Sequence, residues 1–196
     1  MKSQHVADIL LLRGPVSLSH LFAGTFLHEG DKAIDATCGN GYDTLALAKL
    51  TGSSGHVYGF DIQEQAIRET SRRLAEAGLA GRVTLLQIGH EKMEQLVRSP
   101  VKAVLFNLGY LPGSDHMIMT RPDTTRIAMN HSLKLLEPGG IVLITVYPGH
   151  DGGTDEQHAV DDWAAGLDPR KYHSWRMGQM NVISDAPYCV LVQKAA

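Results

Sequence analysis

Two aspartates and two glycines at fixed intervals carry the clearest chemistry in this chain. The segment DATCGNGYDTLALA sets Asp35 at the end of an apolar run, Gly39 and Gly41 in a short loop, and a helix-forming stretch directly behind them. Glycine admits torsions closed to other residues and lets the main chain approach a ligand closely. Further on, GFDIQ closes a second apolar run and sets Asp61 where a carboxylate accepts hydrogen bonds from ribose hydroxyls. Two ligands fit that outline, a nicotinamide dinucleotide and S-adenosylmethionine. The dinucleotide fingerprint requires a third Gly or Ala three residues after the second, and Thr44 stands there. Asp35 would also bring a like charge toward a pyrophosphate, whereas the sulfonium and ammonium of S-adenosylmethionine are cationic. The methyl donor is therefore expected, with Asp35, Thr37, Gly39, Asn40, Gly41, Asp43, Asp61 and Gln63 around it. An NAD(P)-dependent oxidoreductase is the rival from a different class, and a donor-binding regulatory module without catalysis is a third.

A third apolar run ends in IGHEKM, which puts His90 and Glu91 where adenine would lie; Glu91 also suits a helix start through the dipole. The fourth ends in FNLGYLPGSD. Its Asn107-Leu108-Gly109-Tyr110 resembles a relaxed form of the Asn-Pro-Pro-Tyr sequence common in methyltransferases of exocyclic amines. In that arrangement the Asn107 oxygen accepts from the amine and turns its lone pair toward the methyl group, while the Tyr110 ring stacks on a base. Asn107 thereby faces both ligands.

These residues need a sheet that gathers strand ends. KAIDAT, HVYGFDI, RVTLLQI, VKAVLFNL and GIVLITVY are short and rich in Val, Ile and Leu, as expected of strands covered on both faces. Helix-like stretches lie between them. In EQAIRETSRRLAEAG, Ala66, Ile67, Thr70, Leu74 and Ala77 fall near one side, and RPDTTRIAMNHSLKLLEPGG starts with a proline suited to a first turn and stops at Pro138-Gly139-Gly140. Such alternation predicts a parallel, doubly wound α/β sheet. YHSWRMGQ and YCVLVQK, separated by MNVISDAP, predict an antiparallel hairpin at one edge. One domain over residues 1–196 is expected, with a helical segment in 1–31 containing SLSHLFAGTFLHEG.

Composition narrows the partners. A net charge of -3 gives no global basic signal, so RNA would be held by local cations. Arg121 and Arg126 form one such group, and Arg170, Lys171 and Arg176 another. No run approaches the roughly 20 apolar residues that cross a bilayer, so no membrane partner and a cytoplasmic location are expected. Cys38 and Cys189 show no metal or redox spacing and are expected reduced; the ten histidines show none either, and no metal is predicted.

DATCGNGYDTLALA, VYGFDIQ, GHE, FNLGYLPGSD, RPDTT and VYPGHDGG, in this order, resemble the small bacterial methyltransferases once labelled rRNA methylases and now associated with the wobble uridine of tRNA. The likeness runs from about Lys32 onward. It implies a Rossmann-like class I S-adenosylmethionine-dependent methyltransferase, a mostly parallel seven-stranded sheet with an antiparallel carboxyl-terminal edge strand. The implied reaction converts 5-aminomethyl-2-thiouridine to 5-methylaminomethyl-2-thiouridine on a tRNA anticodon arm, with a homodimer as a possible assembly. Methylation of rRNA or a small-molecule amine is the rival within the class. The resemblance assigns cofactor contacts to Asn40, Asp61, Gln63, His90 and Glu91. On the substrate side it brings in Leu108, Gly109, Tyr110, Arg121, Asp123 and Tyr147. Tyr42 stands where the family more often has His.

An aminomethyl substrate raises a proton problem. With about 10.4, a lysine-like upper reference, roughly 1 amine in 2,500 is neutral at pH 7, a handicap of about 4.6 kcal/mol. The base, a sulfonium and desolvation lower that figure. His150 titrates in the useful range and joins Asn107 and Tyr110 as a catalytic candidate, with Asp115, Asp123 and Asp151 as other places for a proton.

Overall fold

The computed structural model describes residues 12–109, 119–149, 153–182 and 185–196. Helix α1 (Pro15–Phe26) precedes β1 (Lys32–Asp35), α2 (Tyr42–Leu50), β2 (His56–Asp61), α3 (Glu64–Glu76) and β3 (Val83–Gln87). The chain continues through α4 (Met93–Leu96), β4 (Val101–Asn107), α5 (Pro122–Leu135), β5 (Leu136–Val146), α6 (Gly153–Ala165), β6 (Tyr172–Gly178) and β7 (Tyr188–Lys194). The strands form one sheet in the order β3-β2-β1-β4-β5-β7-β6. The first five are parallel, and β7 runs antiparallel to both β5 and β6. The expected edge hairpin is present, with β6 outermost.

Alternation along each strand sends neighbouring side chains into two cores. Ile34, Phe60, Val104, Phe106, Val142 and Ile144 pack with Met93, Met129 and Trp163, so α4, α5 and α6 cover one face. Ala33, Val57, Ala103, Leu105, Ile141 and Leu143 pack with Ala23, Leu47 and Leu74, so α1, α2 and α3 cover the other. Burying both faces accounts for the continuous apolar runs. Helix α1 lies on β4, β5 and β7, the half of its face that α2 and α3 do not reach.

Three local details depart from what the sequence predicts. Helix α6 is not anticipated; its buried Gly153, Glu156, Val160, Trp163 and Ala164 follow a helical spacing, but an acidic first turn obscures it. Pro138-Gly139-Gly140 does not end α5. The helix stops at Leu135, β5 begins at once, and the Pro-Gly-Gly residues form an irregularity between the Val101–Leu136 and Ala103–Ile141 pairs. On α3, Ala66, Thr70 and Leu74 are buried as expected, while Ala77 caps the helix and is exposed.

Strand order reverses between β1 and β4, where connections leave to opposite faces and a crevice opens beyond the strand ends. Pairing aligns Asp35 with Leu105 and Asn107 with Thr145, so the ends of β1, β4 and β5 meet at that crevice.

Candidate active site

The loop after β1 is seated on α3. Gly41 has φ 79°, and a Cβ there would lie 2.8 Å from the Thr70 Cα, so glycine is required by torsion and by space. Thr70 Oγ1 donates to the Gly39 carbonyl at 3.3 Å, and Arg73 Nε donates to the Asn40 carbonyl at 2.8 Å. The Arg73 guanidinium also lies over the Tyr42 ring, 3.8 Å from its centroid. Tyr42 is thereby held at the cleft mouth.

Asp35 departs from the expectation of direct ligand contact. It is 1% exposed and sealed behind the loop, where its oxygens accept from Thr44 Oγ1 at 2.5 Å and from the Thr37 N–H at 3.1 Å. Burial first, then the charge of Asp43, push its carboxyl up to about 7. Asp35 therefore shapes the site through Thr37 and Thr44. Thr44, which occupies the third position of the dinucleotide fingerprint, is itself fully buried against it.

A cleft of about 820 Å³ opens at the strand ends, within the size range of small-molecule sites. Its lining includes Thr37, Gly39, Asn40, Asp43, Asp61, Gln63, His90 and Glu91. Asp61 accepts the Gly39 N–H and the Gln63 N–H, each at 2.9 Å and each on a different oxygen. Burial raises its carboxyl, and those backbone donors oppose the rise. His90 is buried, donates from Nδ1 to the Ala36 carbonyl at 3.2 Å, and meets the Phe106 ring edge-on. Burial lowers its imidazole, favouring the neutral ring, so Nε2 keeps a lone pair.

The same cleft is lined by Asn107, Leu108, Gly109, Arg121 and Tyr147. The Asn107 N–H donates to Thr37 Oγ1 at 2.7 Å, which ties β4 to the loop after β1. Its Nδ2 donates to Asp43 Oδ2 at 3.2 Å, leaving the amide oxygen as the acceptor. Burial raises the Tyr147 phenol, with Asp43 adding to the rise and Asn107 opposing it. Gly109, at φ 135°, exchanges hydrogen bonds with Thr120: its N–H donates to Thr120 Oγ1 at 2.8 Å and its carbonyl accepts the Thr120 N–H at 2.9 Å. The two chain ends flanking residues 110–118 are thus pinned together. Asp123 is exposed and does not line the cleft. Tyr110, Asp115, His150 and Asp151 lie outside the described residues.

Two contributors carry no motif. Glu156 of α6, 3% exposed, accepts from Thr120 Oγ1 at 2.6 Å and from Thr125 Oγ1 at 2.8 Å, joining α6 to the Gly109–Thr120 pair and to α5. His20 of α1 lies 2.6 Å from Asp43 Oδ1 through Nε2. Helical spacing could have suggested Glu156; nothing in the sequence connects His20 to Asp43.

No helix among the described residues is long and apolar enough to cross a membrane, and no group of three or more metal-ligating side chains gathers there. Both cysteines are buried and free.

The family model described as "Putative rRNA methylase" matches residues 57–193. A tRNA (mnm(5)s(2)U34)-methyltransferase of Arabidopsis thaliana chloroplasts is 41% identical over 160 residues, covering 76% of this chain and 58% of the plant protein. The chain thus spans little more than half the length of that relative. The crystal structure of a "putative rRNA-methylase" from Clostridium thermocellum has a TM-score of 0.91 at 43% identity, covering 94% of this chain and 100% of that one. A protein of Streptococcus mutans described as "a putative methyltransferase", solved in complex with SAH, has a TM-score of 0.85 at 36% identity, covering 94% of this chain and 99% of that one. Sheet order, strand-end cleft and family match agree, and the chain belongs to the "Putative rRNA methylase" family of class I methyltransferases.

Proposed function

We propose that this chain is an S-adenosylmethionine-dependent N-methyltransferase acting on the aminomethyl group of 5-aminomethyl-2-thiouridine at the tRNA wobble position. The observation that carries the proposal is the Asn107 amide. It donates to Asp43 and presents its oxygen in the same cleft as Asp61 and His90. The identity to the plant wobble-uridine enzyme supports the choice of substrate.

The cleft residues suit this donor. Each Asp61 oxygen already accepts one backbone N–H and keeps a lone pair for a ribose hydroxyl. The lone pair on His90 Nε2 and the Glu91 carboxylate can accept from an exocyclic amine. Gly39 lets the main chain come close to the ligand, and the buried Thr44 disfavours a dinucleotide. When bound, S-adenosylmethionine supplies a methyl group activated on a sulfonium, so the protein's tasks are alignment and proton management.

Asn107 orients the amine by accepting one of its N–H bonds, which turns the nitrogen lone pair toward the methyl group. Tyr147 lines the same cleft, and Arg121 at the start of α5 offers charge for an RNA phosphate. The Gly109–Thr120 pair ties the end of β4 to the residues that precede α5. Calorimetry with S-adenosylhomocysteine and NADH tests the cofactor: binding of the first and not the second is expected, and the reverse sinks the assignment. A deletion strain should accumulate 5-aminomethyl-2-thiouridine in its tRNA nucleosides; an unchanged profile returns the substrate to rRNA or a small amine.

A further inference from the structure

Helix α1 lies outside the motifs above, yet it closes one side of the cleft. Val16 lines the cavity, and His20, one turn later on the same helix face, meets Asp43 at 2.6 Å. Ser19 fixes the helix rotation: it is buried, with its hydroxyl 3.2 Å from Thr145 Oγ1 and 3.4 Å from Cys189 Sγ. Asp43 is nearly enclosed, with a side chain 12% exposed, whereas the His20 side chain is 37% exposed. Its other oxygen holds Asn107 at 3.2 Å. A continuous polar line therefore runs from Asn107 in the cleft, through Asp43, to an imidazole that reaches solvent.

We propose that the Asp43–His20 pair is the proton exit for the substrate ammonium, with Asp43 touching the amine and His20 acting through it as positioning residue and terminal acceptor. This rests on the amine-methyltransferase function proposed above. The alkylammonium gives one N–H proton to the Asp43 carboxylate; carried on Oδ1, that proton passes to the free Nε2 of neutral His20 in its Nδ1–H tautomer, and Asp43 is again a carboxylate. The freed nitrogen lone pair forms the new C–N bond as the methyl–sulfur bond breaks with its electrons left on sulfur. The product leaves as a secondary ammonium with two N–H bonds, and His20 returns its proton to water.

The groups facing His20 favour that use. Asp43 of α2 is hydrogen-bonded to it, Asp35 lies behind on β1, and Tyr147 stands across Asp43; Cys189 of β7 meets the neighbouring Ser19. Helix α1 holds no other titratable side chain. The Asp43 hydrogen bond raises the His20 imidazole above 6.5, against the opposing effect of burial. The pair is then a stronger acceptor than a free histidine.

His20→Gln, with His20→Asn as a second variant, separates a relay from a structural tie between α1 and α2. In the wild type, kcat with tRNA should rise and level off above the His20 midpoint. In the variants the proton must be lost in solution. Turnover at pH 7 should fall at least about tenfold, and by no more than the roughly 2,500-fold handicap of a free alkylamine, then climb about tenfold per pH unit toward the wild-type rate. A drop by the same factor at every pH overturns the relay. Independently of methyl transfer, NMR titration of the ligand-free protein should give a His20 midpoint above 6.5 that falls in Asp43→Asn; an unmoved midpoint also overturns it. If the wild type methylates no amine while NMR still reports the pair, the functional assignment fails, and the relay fails with it.

Discussion

Replacing Asn107 by alanine separates amine alignment from cofactor binding. The substitution removes the Nδ2–H bond to Asp43 and the amide oxygen offered to the substrate, but keeps the backbone N–H bond to Thr37 Oγ1 at 2.7 Å. The tie between β4 and the loop after β1 therefore survives, and Asn107→Ala should fold. A hydrogen bond involving a charged group contributes about 1.5–3 kcal/mol. Expressed in the transition state, that corresponds to roughly a 10- to 150-fold loss of turnover. The substitution leaves in place Asp61, His90 and Glu91, the residues proposed for the ribose and adenine, so S-adenosylhomocysteine affinity should change by less than about threefold, or about 0.7 kcal/mol. Single-turnover methylation with both substrates saturating gives the first quantity, and calorimetry gives the second. Unchanged turnover removes Asn107 from the amine site. Equal losses in turnover and cofactor affinity refute the separation of amine alignment from cofactor binding.

Asp61→Ala should show the opposite pattern, weakening S-adenosylhomocysteine by roughly 10- to 100-fold through loss of charge-assisted hydrogen bonds while turnover at saturating donor stays near wild type; equal affinity in both proteins excludes the ribose role. For Asp35 the sign follows from its raised carboxyl at about 7. The folded protein holds a proton there that the unfolded chain releases near pH 4, so this group's contribution falls as pH rises from about 4 to about 7 and is constant above. The slope reaches at most about 1.4 kcal/mol per pH unit. Asp35→Asn should remove that part of the slope in urea unfolding across the window, and identical slopes in the two proteins would show that Asp35 ionises freely.

How much of this was legible in the sequence depended on how local each cause is. The strands were visible because burial on both faces writes unbroken apolar runs such as IVLITV. The loop glycines were visible because torsion and close approach restrict residue choice at those positions. Asp35 stood out by type, but its inward orientation depends on Thr37 and Thr44, and spacing does not distinguish a carboxyl facing a ligand from one sealed behind the loop. Pro138-Gly139-Gly140 carries the usual signal of a helix end, whereas the residues just before it pair with β4. His20 and Asp43 are 23 residues apart, and their meeting follows from α1 filling the uncovered half of a sheet face, a property of the assembled fold.

The central claim is methyl transfer to the wobble aminomethyl group. Purified protein should be incubated with S-adenosylmethionine and tRNA carrying 5-aminomethyl-2-thiouridine, and the nucleosides digested and analysed by mass spectrometry. Conversion to 5-methylaminomethyl-2-thiouridine, with loss of the substrate nucleoside, is the predicted result. An unmodified substrate nucleoside, under conditions in which the same preparation binds S-adenosylhomocysteine, would contradict it.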